Sequence, residues 1–354
     1  MSRNSSRITI DLAALGANYD LIKSKVAPAC LVSAVVKANA YGTGIEQAAK
    51  VLESKACPYY FVATLDEALT LRKFTQKPIA VLGGLYPGAE NEYGIHGIVP
   101  VMNSVEEIRR DTYNRPAIWH VDTGINRLGL DVPDVISLLE SNFRLPSMVM
   151  SHFACSDESR NPMNQTQAQR FTQVANYLPL AKKSLANSSG IFRDPAWHHD
   201  MVRPGMALYG LNPTPEKPNP MQPVVGLETR LLQVKPARAR DTVGYGATYT
   251  IPQNTTIGIV GLGYADGFLR SGSNSAKLYW QGQPCPVLGR VSMDLIAVDL
   301  GGLPQDQPQP HDTDWLEVLG PHQSADQLAT ACGTIGYEIL TSLSRRSERV
   351  YKGL

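Results

Sequence analysis

The chain has 354 residues, with 33 lysines and arginines against 32 aspartates and glutamates and a formal net charge of +1. So even a balance excludes nucleic acid and an anionic membrane surface as principal partners, because both are recognised through an excess of basic residues. The length exceeds what one hydrophobic core usually serves, so two domains are expected, and an apolar content of 43% excludes a disordered chain.

The N-terminal residues are polar and lead directly into Ile8-Thr9-Ile10, without the apolar core of a signal segment, and no stretch is long enough to span a bilayer. Cys30, Cys57, Cys155, Cys285 and Cys332 are odd in number and scattered, which fits neither a disulfide framework nor a zinc site. A soluble, cytoplasmic protein is expected.

A helix over 12–25 precedes the first apolar run. Eight such runs follow, at 31–36, 60–64, 78–82, 97–101, 117–121, 147–152, 182–187 and 201–203. Amphipathic stretches at 45–54, 65–74, 105–110, 132–141 and 165–177 lie between them. Thr64-Leu65-Asp66-Glu67 and Ser104-Val105-Glu106-Glu107 have the spacing of capping boxes. Near-continuous apolar strands alternating with helices predict a parallel sheet covered on both faces, and eight units predict a (β/α)8 TIM-type barrel over residues 1–220. Residues 213–223 are rich in proline and asparagine and mark a boundary. Short strand-like runs at 227–234, 245–251, 256–260, 277–280, 287–288 and 295–300, then helices at 324–331 and 336–345, predict a mostly-β C-terminal domain over 221–354.

In such a barrel the chemistry lies at the C-terminal ends of the strands. The first run stops at Lys37, with Tyr41 just beyond; the fifth leads into His120 and Arg127, the sixth into His152, the seventh into Ser188, and the eighth into Arg203, Gly205 and Met206. Burial lowers a lysine's pKa by disfavouring the charged form, and a neutral amine forms Schiff bases. Ser188, Gly205 and Met206 follow the two strands after which barrels commonly cradle phosphate. A Schiff-base lysine beside a phosphate cradle points to pyridoxal 5'-phosphate. Taken singly, Arg127, His152 and Ser188 read better as a cap partner, a core histidine and an N-cap; their convergence at one rim carries the argument. Gly261-Leu262-Gly263 lacks the βαβ context of a dinucleotide site, and His198-His199-Asp200 has the wrong spacing to hold one metal ion.

Val35-Val36-Lys37-Ala38-Asn39-Ala40-Tyr41-Gly42 resembles the cofactor-lysine signature of alanine racemases. The resemblance continues, in order, through Val121-Asp122-Thr123-Gly124, Arg127-Leu128-Gly129, Ser151-His152-Phe153-Ala154, Asn187-Ser188 and Val202-Arg203-Pro204-Gly205. It then runs through Gly263-Tyr264-Ala265-Asp266-Gly267, Gly289-Arg290-Val291-Ser292-Met293-Asp294 and Tyr337-Glu338-Ile339-Leu340-Thr341. It implies a racemase interconverting L- and D-alanine and supplying D-alanine for peptidoglycan. Lys37 would carry pyridoxal phosphate and serve as the base for the D-enantiomer. Tyr264 would be the base for the L-enantiomer, contributed by the partner subunit of a homodimer. Arg203 would bind the pyridine nitrogen, with His152 beside it, and Arg127 the phenolic oxygen and substrate carboxylate. The Met293 amide would face substrate, and Tyr41, Ser188, Gly205 and Met206 would bind the phosphate.

The chain departs from the family pattern at Thr43, where histidine is frequent, and at Ser292, where cysteine is frequent. His120 stands where many members carry a carbamylated lysine that supports the arginine, and Arg345 where some have a phosphate-binding tyrosine. Two other readings are weighed: a decarboxylase of similar architecture, for which Cys332 is the only late cysteine, and a pyridoxal-phosphate carrier without turnover, which would not need Tyr264.

Overall fold

In the computed structural model, residues 4–113, 115–141, 143–304 and 306–353 are described. The described residues form two compact units: those within Leu15–Gln222, and those up to Ala14 together with those from Pro223 onward.

In the first unit all eight apolar runs become strands. Seven form one parallel sheet in chain order, from Ala34–Val35 through Tyr60–Val62, Ile79–Val81, Ile98–Met102, Ile118–His120 and Met148–Met150 to Lys182–Ser184. Five of these strands are buried along their whole length, which is why they read as unbroken apolar runs. The sheet curls until its ends meet across the eighth strand, Met201–Val202. On one side the amides of Leu31, Ser33 and Val35 donate to Asp200, Val202 and Pro204; on the other Arg203 N–H donates to Ala186 O at 2.9 Å. Closure brings the end of the first run, at Lys37, next to that of the last, at Arg203 and Gly205.

The connecting helices start and stop close to expectation: Ile45–Ser54 and Val105–Arg110 as predicted, Leu65–Arg72 and Val132–Glu140 slightly shorter. Thr64 and Glu67 form the reciprocal capping box. At the second predicted box Ser104 Oγ accepts from Glu107 N–H at 3.2 Å, but Glu107 Oε2 accepts from Asn103 N–H at 2.8 Å.

The other unit is mainly antiparallel. The long strand Val225–Ala237 pairs with Thr255–Val260, Trp315–Leu319 and, across the whole intervening barrel sequence, Ser6–Asp11. Glu348–Lys352 adds parallel to Ser6–Asp11. Three of these strands, Ser6–Asp11, Trp315–Leu319 and Glu348–Lys352, are absent from the sequence reading. The predicted strand over 245–251 is instead a turn at Tyr245–Ala247 followed by the short strand Tyr249–Thr250. Gly244 and Gly246 both have positive φ there, which breaks an extended run. Among the described residues no helix is long and apolar enough to cross a membrane.

Candidate active site

Lys37 emerges half-buried from the Ala34–Val35 strand into an unusual turn. Ala38, Asn39, Ala40 and Tyr41 all adopt left-handed backbone, with φ between 52 and 55°. For L-residues this costs about 1–2 kcal/mol each, so the surroundings must compensate. Glu67, the partner in the capping box, accepts from Ala38 N–H at 2.6 Å with its second oxygen on Ala63 N–H at 2.8 Å. Asn39 Oδ1 accepts from Ile45 N–H at 2.9 Å, and the Thr43 hydroxyl donates to Ala40 O at 2.5 Å. The Tyr41 ring stacks on buried Tyr209 with centroids 4.6 Å apart, and Tyr209 is itself tied through its hydroxyl to Val35 O at 3.0 Å. The turn thus fixes where Lys37 leaves the strand and swings Tyr41 back over the barrel end.

There Tyr41 meets the last strand. A Cβ on Gly205 would stand 2.5 Å from the Tyr41 hydroxyl oxygen, so only glycine allows the approach. Ser188 Oγ accepts from Gly205 N–H at 3.0 Å and from Ala207 N–H at 3.3 Å, and Met206 is buried between them in sequence. Asn187 caps the short helix Ser188–Arg193 through Gly190 N–H. Tyr41, Ser188, Gly205 and Met206 therefore gather into one small cradle of hydroxyls and amides. Gly205→Ala is expected to displace Tyr41 and lower stability by about 1–3 kcal/mol, which thermal unfolding would measure.

Arg203 lies across the barrel mouth, 4% exposed. Its Nη1 donates to Ser184 Oγ at 2.6 Å and its Nη2 to the carbonyls of Ser151 and Leu185 at 2.5 and 3.3 Å. Burial without an acidic partner pulls its pKa down to about 9. Arg127 stands at the exposed tip of a loop whose base is closed by Leu130 N–H to His120 O at 2.8 Å. The loop wall is set by Asp122 Oδ1, which accepts from the amides of Gly124 and Ile125, and by Gln167, which bridges Thr123 Oγ1 and His152 O.

The electrostatics of this rim are one-sided. Lys37 is shifted below its ordinary value, first by burial and then by the charge of Arg127, with Glu67 opposing. Among the described residues no carboxylate makes an ion pair with Lys37, Arg127 or Arg203; Glu67 and Asp122 are engaged by backbone amides. Such a site calls for an anionic ligand.

Burial, then Arg203 and Arg127, hold His152 well below 6.5 and His120 at about 4. An unfolded chain takes up these protons near pH 6.5 and the folded one refuses them, so stability is present above that value and lost as pH falls towards about 4. Thermal unfolding of the full chain should show this loss, and His120→Gln should shrink it.

In the other unit Tyr264 begins the turn Tyr264–Asp266 and is 43% exposed, and Met293 is 53% exposed. Tyr264 N–H donates to Ser292 O at 3.1 Å and Ala265 N–H to Met293 O at 3.0 Å. A Cβ on Gly263 would stand 2.2 Å from Met293 O, so the two turns pack backbone to backbone. Arg346 joins them, with Nη2 2.8 Å from Asp294 Oδ1 and Nε 3.4 Å from Asp266 Oδ1. Arg345, singled out from the sequence, makes no hydrogen bond or ion pair among the described residues. Glu67, Asn103, Tyr209 and Arg346 are supporting residues that sequence reasoning missed; only Glu67 carried a signal, its capping box.

Models of the family described as "Alanine racemase, N-terminal domain" and "Alanine racemase, C-terminal domain" match residues 10–213 and 224–351. The chain belongs to the alanine racemase family. It is 40% identical to an alanine racemase of Rhodospirillum rubrum, covering 99% of this chain and 97% of that one. It is 42% identical to a catabolic alanine racemase of Mesorhizobium japonicum, covering 98% and 93%. The solved alanine racemase of Bartonella henselae, described with covalently bound pyridoxal phosphate, superposes with a TM-score of 0.93 at 37% identity over 98% of this chain and 99% of that one. The barrel followed by a mostly antiparallel β unit is the family architecture, and the chain is accordingly an enzyme, an amino-acid racemase.

Proposed function

We propose that the enzyme interconverts L- and D-alanine with pyridoxal 5'-phosphate bound at the barrel mouth. The observation that carries this reading is the rim of Lys37, Arg127 and Arg203, which lacks ion-paired carboxylates and lies beside the Tyr41–Ser188–Gly205 cradle. A phosphate ester fits that set of hydroxyls and amides, and the glycine at 205 lets the Tyr41 hydroxyl come close to the last strand.

Tyr41, Ser188, Gly205 and Met206 would hold the phosphate, Arg203 the pyridine nitrogen with His152 nearby, and Lys37 the aldehyde carbon. When bound, pyridoxal phosphate supplies an electron sink that acidifies the substrate Cα–H. Arg127 would bind the substrate carboxylate and the cofactor's phenolic oxygen, and the Met293 amide would add a second contact to substrate. Racemisation removes a proton from one face of Cα and returns one to the other, so it needs two bases. Lys37 Nζ would take the proton of the D-enantiomer; burial and then the charge of Arg127 lower its proton affinity, which favours the neutral amine that a base requires. Tyr264 Oη would take that of the L-enantiomer.

In this reading residues 1–220 supply the cofactor and 221–354 the second base, and two copies of the chain share each active site. Alanine is the substrate, the protein works in the cytoplasm, and its D-alanine feeds peptidoglycan. D-alanine formation from L-alanine by purified protein with pyridoxal phosphate tests the activity; no conversion would refute it. Rescue of a bacterial host that requires D-alanine tests the cellular role.

A further inference from the structure

A buried acceptor with nothing donating to it lies at the end of strand Ile118–His120. His120 is 5% exposed, and its Nδ1 lies 2.8 Å from Asn103 Oδ1. The Asn103 amide has only one orientation open to it, because its Nδ2 donates to Leu82 O at 3.1 Å and Val101 O at 2.9 Å. The atom facing His120 is therefore the amide oxygen, which can only accept. His120 Nδ1 must carry the ring proton, which leaves Nε2 as a bare lone pair. Nε2 is buried and has no hydrogen-bond partner among the described residues, a condition folded proteins rarely leave unanswered.

The charges of two guanidinium groups, Arg203 and then Arg127, bear on this ring. Arg203 already commits both terminal nitrogens to Ser184, Ser151 and Leu185. Arg127 makes no hydrogen bond or ion pair among the described residues. The loop that carries it closes on His120 itself, through Leu130 N–H and His120 O. An acceptor without a donor thus lies at the base of a loop whose tip carries a donor without an acceptor.

We propose that His120 is a positioning residue for Arg127: its Nε2 accepts a guanidinium N–H and holds Arg127 in the orientation that binds the substrate carboxylate. The inference rests on the reading of Arg127 as a substrate-binding residue. A neutral acceptor orients the guanidinium without neutralising it, so Arg127 keeps its full charge for the carboxylate.

The test is steady-state alanine racemisation by the pyridoxal-phosphate-loaded enzyme, its His120→Asn and His120→Gln variants, and the same pair in an Arg127→Ala background. Asparagine retains a donor towards Asn103 and removes the acceptor at the Nε2 position; glutamine does the reverse. His120→Asn should raise the KM for alanine about tenfold with a much smaller change in kcat, and His120→Gln should stay within about threefold of wild type. In the Arg127→Ala background His120→Asn should have no further effect on kcat/KM. In cofactor-free protein the nitrogen-15 resonance of His120 Nε2 should lie in the unprotonated range at neutral pH. An unchanged KM in His120→Asn, an equal loss in both Arg127 backgrounds, or a protonated Nε2 overturns the proposal. So does a loss in both variants that follows their melting temperatures. An unmodified enzyme inactive on alanine overturns the reading of Arg127 and the proposal with it, whereas an active one insensitive to His120→Asn overturns the proposal alone.

Discussion

Lys37→Ala is expected to lower alanine racemisation at least about a thousandfold and to remove the visible absorbance of lysine-linked cofactor. The loss combines two roles. A positioned general base contributes about 10²–10⁴-fold by itself, and the covalent anchor that orients the cofactor disappears with the same side chain. Lys37→Arg should be as inactive, since an arginine side chain does not give up its proton at working pH. Stability should move the other way. Burial and Arg127 both oppose the charged amine, so the cofactor-free variant should melt no lower than wild type. Scanning calorimetry alongside chiral product analysis would separate chemistry from misfolding. An active Lys37→Ala protein would dismiss the lysine as base and anchor together.

Tyr264→Phe should cost about 10²–10⁴-fold in both directions, because a full cycle needs both bases whichever enantiomer enters. Phenylalanine keeps the ring, and the Tyr264–Asp266 turn is held by backbone bonds to Ser292 and Met293, so the unit should fold as before. Exchange of the α-proton with deuterated water is the sharper readout. With Lys37 intact, D-alanine should still exchange, while L-alanine should exchange only at the residual rate. Equal exchange from both enantiomers would remove Tyr264 from the role of second base.

Much of this was legible in the sequence, for identifiable reasons. Most of the barrel strands are buried along their whole length, so they read as unbroken apolar runs, and most of the chemical residues follow shortly after a run ends. The strand Ser6–Asp11 alternates buried and half-buried residues over only six positions, and its partners lie beyond the entire barrel sequence. Nothing local marks it. The left-handed turn after Lys37 was equally hidden, because Ala38, Ala40 and Tyr41 have no intrinsic preference for that backbone. It exists because Asn39 within it, and Glu67 and Tyr209 from separate stretches of chain, hold it. The Asn103–His120 pair depends on the register of neighbouring strands, and the Arg346 link on a long return of the chain; neither has a motif.

The strand Ser6–Asp11 also sets an order of events during synthesis. It leaves the ribosome before any of Leu15–Gln222, yet its hydrogen-bonding partners, Val225–Ala237 and Glu348–Lys352, emerge only after that unit is complete. The barrel can gather its contacts while the strand waits with both edges open. An unpaired edge rich in isoleucine is a template for wrong partners, so this segment is where a nascent or truncated chain would be captured by another copy or by a chaperone. Removing Ser6–Asp11 would leave the barrel's own sheet whole and deprive the other unit of the strand that joins Val225–Ala237 to Glu348–Lys352.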